Sequence, residues 1–318
     1  MSKVHKMARK PDISVILPVF NGMRWLGRSV PSVLAQEGAS FELLVVDDGS
    51  RFSPADTLQS FQDSRIRLIR IDHAGKGTAL NCGAGEAAAD VLCFIDQDDV
   101  MLPGRLKRQL GGFAMHPGTE AVYSDYERVY QDGRLIDRFV SRQASGMDCF
   151  FAMAEGRGLV SMQTLMIRKE AFRRIGGFSS DPTLTGLDDA EFFARLFASG
   201  TPLLYVPGVV QQWTQHESNY SASAAFQQAR DVLLQHLECL AEQYPSIAGI
   251  LPRYRYHNAC ASGLYYLEQS MPHAAALEFV KMIRLRPFSW SGYYLWAKSR
   301  LMTTKVVPGA TGRTSGAP

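Results

Sequence analysis

Three short, mostly apolar runs, 13–17, 41–46 and 91–95, and a strand-like IRLIRI at 66–71 recur at near-regular intervals along the first third of the chain. Between them lie 25–35 and 54–62, which read as helices, and 78–89, an alanine-rich helix. Apolar strands alternating with helices at this spacing are the signature of βαβ units and a mainly parallel sheet flanked by helices. In such sheets ligands gather beyond the carboxyl ends of the strands. The polar segments 18–21, 47–50, 73–76 and 96–99 all fall there, so they are expected to converge on one crevice.

The last of these segments carries the sharpest chemistry. A buried run, VLCFI, leads straight into Asp96, Asp98 and Asp99, and a new segment starts at Pro103. Three carboxylates at the end of a buried strand repel one another unless a cation sits among them. A hard ion such as Mg²⁺ or Mn²⁺ takes one or two carboxylates and completes its shell with substrate phosphates. The segment alone is equally compatible with a solvated acidic turn in which Asp96 caps the next helix. Convergence of four polar segments favours a metal-dependent site for a phosphate-bearing substrate.

Beyond a helix at 105–116 the pattern changes. Residues 121–130 alternate and precede Asp132-Gly133, a hairpin signal. Residues 161–168 read as a strand, and 169–175 as a short helix stopped by Gly176-Gly177. The helix at 187–199 begins with Asp188 and Asp189; strands at 203–206 and 209–213 lead to Gln215-His216. From residue 224 the chain reads all-helical, over 224–243, 256–269, 273–284 and 293–302. Gly263, Tyr266, Ala275 and Pro287 give one tetratricopeptide-like mark, and a single such unit cannot stack into a solenoid. The expected organisation is a main domain over 1–222, a helical appendage over 223–304 and a disordered tail over 305–318.

Composition excludes several classes. A hydrophobic fraction of 46% and a charged fraction of 20% are those of an ordinary globular protein. The net charge of +3 gives no reason to expect a nucleic-acid partner. Five scattered cysteines without a C-x-x-C pair argue against a disulfide framework or zinc site and fit a reducing cytoplasm. The basic start lacks the apolar stretch of a signal peptide, and no run approaches the length of a membrane span. If the protein works at a membrane, it lies on its surface.

At this point the chain resembles glycosyltransferase family 2, inverting enzymes of the GT-A fold that use sugar nucleotides. The resemblance rests on ISVILPVFNG, Gln36, ELLVVDDGS, HAGKGTALNCGAGEAAADVLCFIDQDD, IGGF and LDDAEFFARLFASG, in family order over about two-thirds of the chain. It implies that Pro18 and Phe20 contact the plane of a uracil and that Asp48 accepts from its ring N–H. It also implies that Lys76 reaches the nucleotide or its phosphates, and that Asp96 binds ribose or the water shell of a metal. Asp98 would ligate Mn²⁺ or Mg²⁺ bridging the diphosphate, with His216 completing the shell or touching the diphosphate. The acid opening the later helix is the family's general base, here Asp189, with Asp188 in support. The partners implied are a nucleotide-sugar donor and a glycan or lipid-linked acceptor.

Two departures stand out. Leu80-Asn81 replaces the frequent Arg-Asn, leaving Lys76 to substitute for the missing phosphate contact, and Asp188 stands where the family has Glu. By analogy, 156–158 lies near the acceptor. A nucleotidyltransferase is the rival enzyme class, although PVFNG lacks that class's basic, glycine-rich loop. A non-catalytic sugar-nucleotide-binding protein is the other rival, against which the intact Asp98, Asp189 and His216 weigh. A dinucleotide oxidoreductase is disfavoured because no G-x-G-x-x-G follows the first strand. Finally, 281–305 is basic and carries Trp290, Tyr293, Tyr294 and Trp296; it suits either an anionic membrane surface or a packed helical core.

Overall fold

The computed structural model describes residues 10–155, 157–184, 186–217 and 224–304. The expected tail and the ends of the 156–158 and 281–305 segments lie partly or wholly outside these residues.

The first apolar runs become β1 (Ile13–Val19), β2 (Phe41–Asp48), β3 (Ile66–Ile71) and β4 (Val91–Phe94), interleaved with α1 (Met23–Leu34), α2 (Ala55–Gln59) and α3 (Lys76–Glu86). β1, β2 and β4 are buried along their lengths because helices and loops cover both faces of a parallel sheet. β3-β2-β1-β4 are mutually parallel, so their carboxyl ends open on one side. The core beneath them is built from Val15, Leu17, Leu26, Val30, Leu43, Val45 and Cys93 among others.

Further elements extend the sheet: β5 (Val100–Met101), α4 (Arg105–Met115), β6 (Ala121–Tyr130), β7 (Leu135–Phe139), α5 (Gly146–Ala154), β8 (Met166–Arg168), α6 (Lys169–Arg174), α7 (Asp188–Ala198) and β9 (Leu203–Gln215). The strand order is β3-β2-β1-β4-β8-β6-β9-β5, with β7 paired to β6. β8 runs antiparallel to β4 and β6, whereas β6 and β9 are parallel, so the sheet is mixed.

Several expected boundaries are corrected. The two strands at 203–206 and 209–213 are one long β9 with a register shift opposite Asp125. Pro207 and Gly208 sit at that irregularity, where a missing donor is tolerated, and the Gly208 N–H donates to Asp125 Oδ2 at 2.9 Å. Of 161–168 only β8 is extended, since Met162–Thr164 forms a 3₁₀ turn.

α8 (Ala224–Gln243) and α9 (Pro245–Ala248) precede α10 (Leu251–Glu268), α11 (Pro272–Leu285) and α12 (Trp290–Thr304). Pro252 lies in the first turn of α10, where its missing N–H has no intrahelical partner to lose, so the helix starts before the expected residue 256. The described residues form two compact units that divide between Ala248 and Gly249, the second also including Ala154 and Glu155. α8 and α9 thus belong to the first unit rather than to a separate appendage, because α8 packs on α7 and on the Pro182–Leu184 turn. The second unit has its own core of Tyr256, Ala259, Leu267, Ala275, Phe279 and Met282. No helix of the described residues is long and apolar enough to cross a membrane.

Candidate active site

The carboxyl ends of β1 and β2 are tied into one surface. Asn21 adopts the left-handed backbone (φ 51), which its short polar side chain tolerates. Its N–H donates to Ser50 Oγ at 2.9 Å, and its Oδ1 accepts from the Arg51 N–H at 2.9 Å. Asp48 is nearly fully buried and grips the start of α3. It accepts from the N–H groups of Ala74 (2.8 Å) and Gly75 (3.0 Å), and its Oδ2 lies 2.9 Å from His73 Nδ1. Gly75 has φ 92, a conformation that suits a residue without Cβ. The exposed ring of Phe20 stacks on His73, centroids 4.1 Å apart at 12°. Pro18 is buried within β1, opposite Val46 of β2.

The acids after β4 take separate places. Gln97, between Asp96 and Asp98, accepts from the Phe20 N–H at 3.0 Å and fills the space where a side chain on Gly22 would sit. Asp98 Oδ2 is 2.7 Å from His216 Nε2, although 118 residues separate them in sequence. Burial, with Asp96 close by, pushes the Asp98 carboxyl above the usual carboxylate range, while His216 acts against that rise. The His216 ring stacks on Trp25 of α1, centroids 4.6 Å apart.

Asp99 points the other way. It accepts from the Thr214 N–H and from Gln211 Nε2, each at 3.0 Å, and Gln211 in turn accepts from the buried Arg105 guanidinium. This acid therefore fixes the end of β9 that presents His216.

Lys76 joins the third group. Its Nζ lies 2.7 Å from Asp96 Oδ1 and 2.8 Å from Oδ2. Burial acts to lower the Lys76 pKa, but Asp96, Asp188 and Asp189 together raise it. Asp188 is buried, and among the described residues its Oδ2 has no hydrogen-bond partner. Burial raises its pKa, with Lys76 opposing. Asp189 is pushed up to about 6, first by burial and then by Asp188, with Lys76 pulling it down. Asp96 acts on Asp98 and on Asp189, so acids more than ninety positions apart share one neighbour.

Second-layer contacts hold α7 in place. Arg195 pairs with Glu191 (Nε to Oε1, 2.7 Å) and donates to the Ile175 carbonyl, tying α7 to the Gly176-Gly177 turn. That turn is held to α3 by Asn81, whose Oδ1 accepts from the Phe178 N–H and whose Nδ2 donates to the Phe178 carbonyl, both at 2.8 Å.

Sequence reading singled out Phe20, Asp48, Lys76, Asp96, Asp98, Asp188, Asp189 and His216, and the fold gathers them as an aromatic–Asp48 end, an Asp98–His216 pair and an Asp–Lys cluster. It missed His73, Gln97 and Trp25. His73 and Gln97 lie inside the recognisable motifs; Trp25 carried only a helix-core signal.

The curled α/β sheet with these acids beyond its strand ends is a GT-A glycosyltransferase architecture, and comparison with known proteins agrees. Residues 14–176, just over half of the chain, match glycosyl transferase family 2, and the chain belongs to that family. The fold is shared with S. aureus TarS 1–349 in complex with UDP-GlcNAc, with TM-score 0.64 and 16% identity over 92% of this chain and 89% of that chain. It is shared too with the mannosyltransferase PcManGT from Pyrobaculum calidifontis in complex with GDP-Man and Mn²⁺, with TM-score 0.57 and 18% identity over 93% of this chain and 81% of that one. The succinoglycan biosynthesis protein ExoO of Rhizobium meliloti (strain 1021) is 33% identical over 130 residues, 41% of this chain and 37% of the relative. The Escherichia coli UDP-Glc:alpha-D-GlcNAc-diphosphoundecaprenol beta-1,3-glucosyltransferase WfgD is 30% identical over 132 residues, 41% of this chain and 51% of the relative. The matches thus span about half or less of these relatives' lengths.

Proposed function

We propose that the chain is an inverting, metal-dependent transferase that moves a sugar from a UDP-linked donor to a hydroxyl of a glycan or lipid-linked acceptor. The observation that carries this reading is the meeting of Asp98 with His216 beside a separate cluster of Asp96, Asp188, Asp189 and Lys76. The names of WfgD and the TarS complex support a UDP-linked donor, and WfgD's supports a lipid-diphosphate acceptor. Among the described residues no disulfide joins the five cysteines, which suits a cytoplasmic setting.

Among the described residues no three His, Cys, Asp or Glu converge on one point. The two donor atoms of Asp98 and His216 do converge, and two protein ligands suffice for a hard cation that fills its shell with diphosphate oxygens and water. Asp98 and His216 would hold Mn²⁺ or Mg²⁺. When bound, the ion would offset charge developing on the departing nucleoside diphosphate. Phe20 offers its face to the base, and Asp48, with three donors already engaged, retains acceptor capacity on Oδ1 for a ring N–H. Lys76 supplies a point charge for phosphate and holds Asp96 toward the ribose side. Asp189, ionised above about pH 6, takes the proton of the acceptor hydroxyl as its oxygen attacks the anomeric carbon opposite the diphosphate. Asp188 supports the base by raising its affinity for the proton, which Lys76 opposes.

The test is a panel of UDP-, GDP- and dTDP-linked sugars with Mn²⁺. Slow hydrolysis of one donor, with a raised melting temperature, is the expected result. Absence of both turnover and stabilisation with every donor in the panel would overturn the proposal.

A further inference from the structure

α12 is apolar on two opposite sides. Its inner side, Gly292, Leu295 and Ser299, packs toward the core of the second unit. At helical spacing, Trp290, Tyr294 and Leu301 fall on the reverse side, and they are 87%, 68% and 66% exposed. Phe288, two residues before the helix, is 97% exposed. Large aromatics this open on a folded surface mark an interaction site rather than a leftover of the core.

The charges around the stripe select the partner. Lys298 is exposed one turn from Tyr294 and Leu301 on the same helix, Arg284 is exposed in the last turn of α11, and Arg286, in the link between the two helices, stands over the Tyr256 ring at 4.4 Å. Lys281 is already matched by Glu278 at 2.7 Å, and the sequence has no acidic residue after Glu278. A second copy meeting this face through a two-fold axis would bring like charges together. An anionic bilayer accepts both features, taking indole and phenol rings at the headgroup level while basic side chains reach the lipid phosphates.

We infer that the outer face of α12, with Phe288, is a docking surface for an anionic lipid bilayer. The surface belongs to the second unit by itself, and its test reads lipid binding, so it stands apart from the transfer chemistry.

The full chain is floated with vesicles of phosphatidylcholine alone or with about a third phosphatidylglycerol. It rises with the anionic vesicles only, and about 0.5 M salt releases it. Trp290→Ala combined with Tyr294→Ala lowers partitioning at least about tenfold, and Arg284→Glu or Lys298→Glu lowers it about fivefold or more. These positions are exposed, so the variants keep the parent's melting temperature and soluble donor turnover. Brominated phosphatidylglycerol quenches tryptophan fluorescence in the parent and less in Trp290→Ala. Absence of flotation, or equal flotation with both vesicles, overturns the inference. A concentration-dependent dimer abolished by Trp290→Ala also overturns it and assigns the face to a second copy.

Discussion

The Asp189 carboxyl lies at the start of a helix, half-buried, beside a second acid and within the field of one lysine. Burial and Asp188 disfavour its charge, Lys76 favours it, and the balance leaves it at about 6. A base must be ionised to accept a proton, so transfer is expected to fall as pH drops through about 6. Asp189→Asn keeps the shape but cannot accept the proton; kcat should fall by about 10²–10⁴ with donor affinity changed far less, read from transfer rates and a donor titration. Lys76→Met gives a sharper check. Removing the cation that holds the pKa down must shift the acid limb of the kcat profile to higher pH, and an unshifted limb would detach Lys76 from the base.

Among the elements, α3 shows how closely the site depends on packing. A side chain on Gly83 would lie 2.5 Å from Ile16 Cγ2 and 3.1 Å from Val46 Cγ2, so only glycine lets the helix rest on β1 and β2. The same helix presents Lys76 at its first turn and Asn81 to the Gly176-Gly177 turn. Gly83→Ala should destabilise the protein by about 1–3 kcal/mol through overpacking. Because Lys76 would move with the helix, thermal melting and donor affinity should fall together. β1, β2 and β4 were readable because buried strands are written as unbroken apolar runs, β3 because its isoleucines and leucine are spaced by arginines, and their polar ends marked the site. Elements whose partners are remote in sequence were not readable. β5 has two residues and exists only because β9 lies beside it. α5 contains an apolar GMDCFFAMA run whose Cys149 and Phe150 are fully buried, which hides any one-sided period. The role of Asp99 was hidden likewise, since its partners Gln211 and Thr214 lie more than a hundred residues away. Motif reading brought Asp98 and His216 together; periodicity alone had no means of doing so.

Across the molecule, the first unit concentrates acids that the folded state holds in an unfavourable form. Asp188 and Asp189 both sit above the ordinary carboxylate value of 3.8, chiefly through burial. The folded chain therefore binds protons at these groups more tightly than the unfolded chain. Their contribution favours folding at acid pH and is lost as pH rises from 3.8 through about 6. At neutral pH the free protein carries this repulsion, and on the proposed reading a divalent cation held by Asp98 and His216 would ease it through Asp96, which acts on both Asp98 and Asp189. Mn²⁺ with UDP should raise the melting temperature more at about pH 7.5 than at about pH 5, with a gain of about 2.7 kcal/mol when the ligand is at a hundred times its Kd. Asp189→Asn removes one of the opposed charges without removing volume. It should melt higher than the parent at neutral pH, match it more closely at acid pH, and gain less from the ligand pair. Equal melting of parent and variant across that range would show that the cluster stores no charge strain, and the pH dependence of the ligand effect would then need another source.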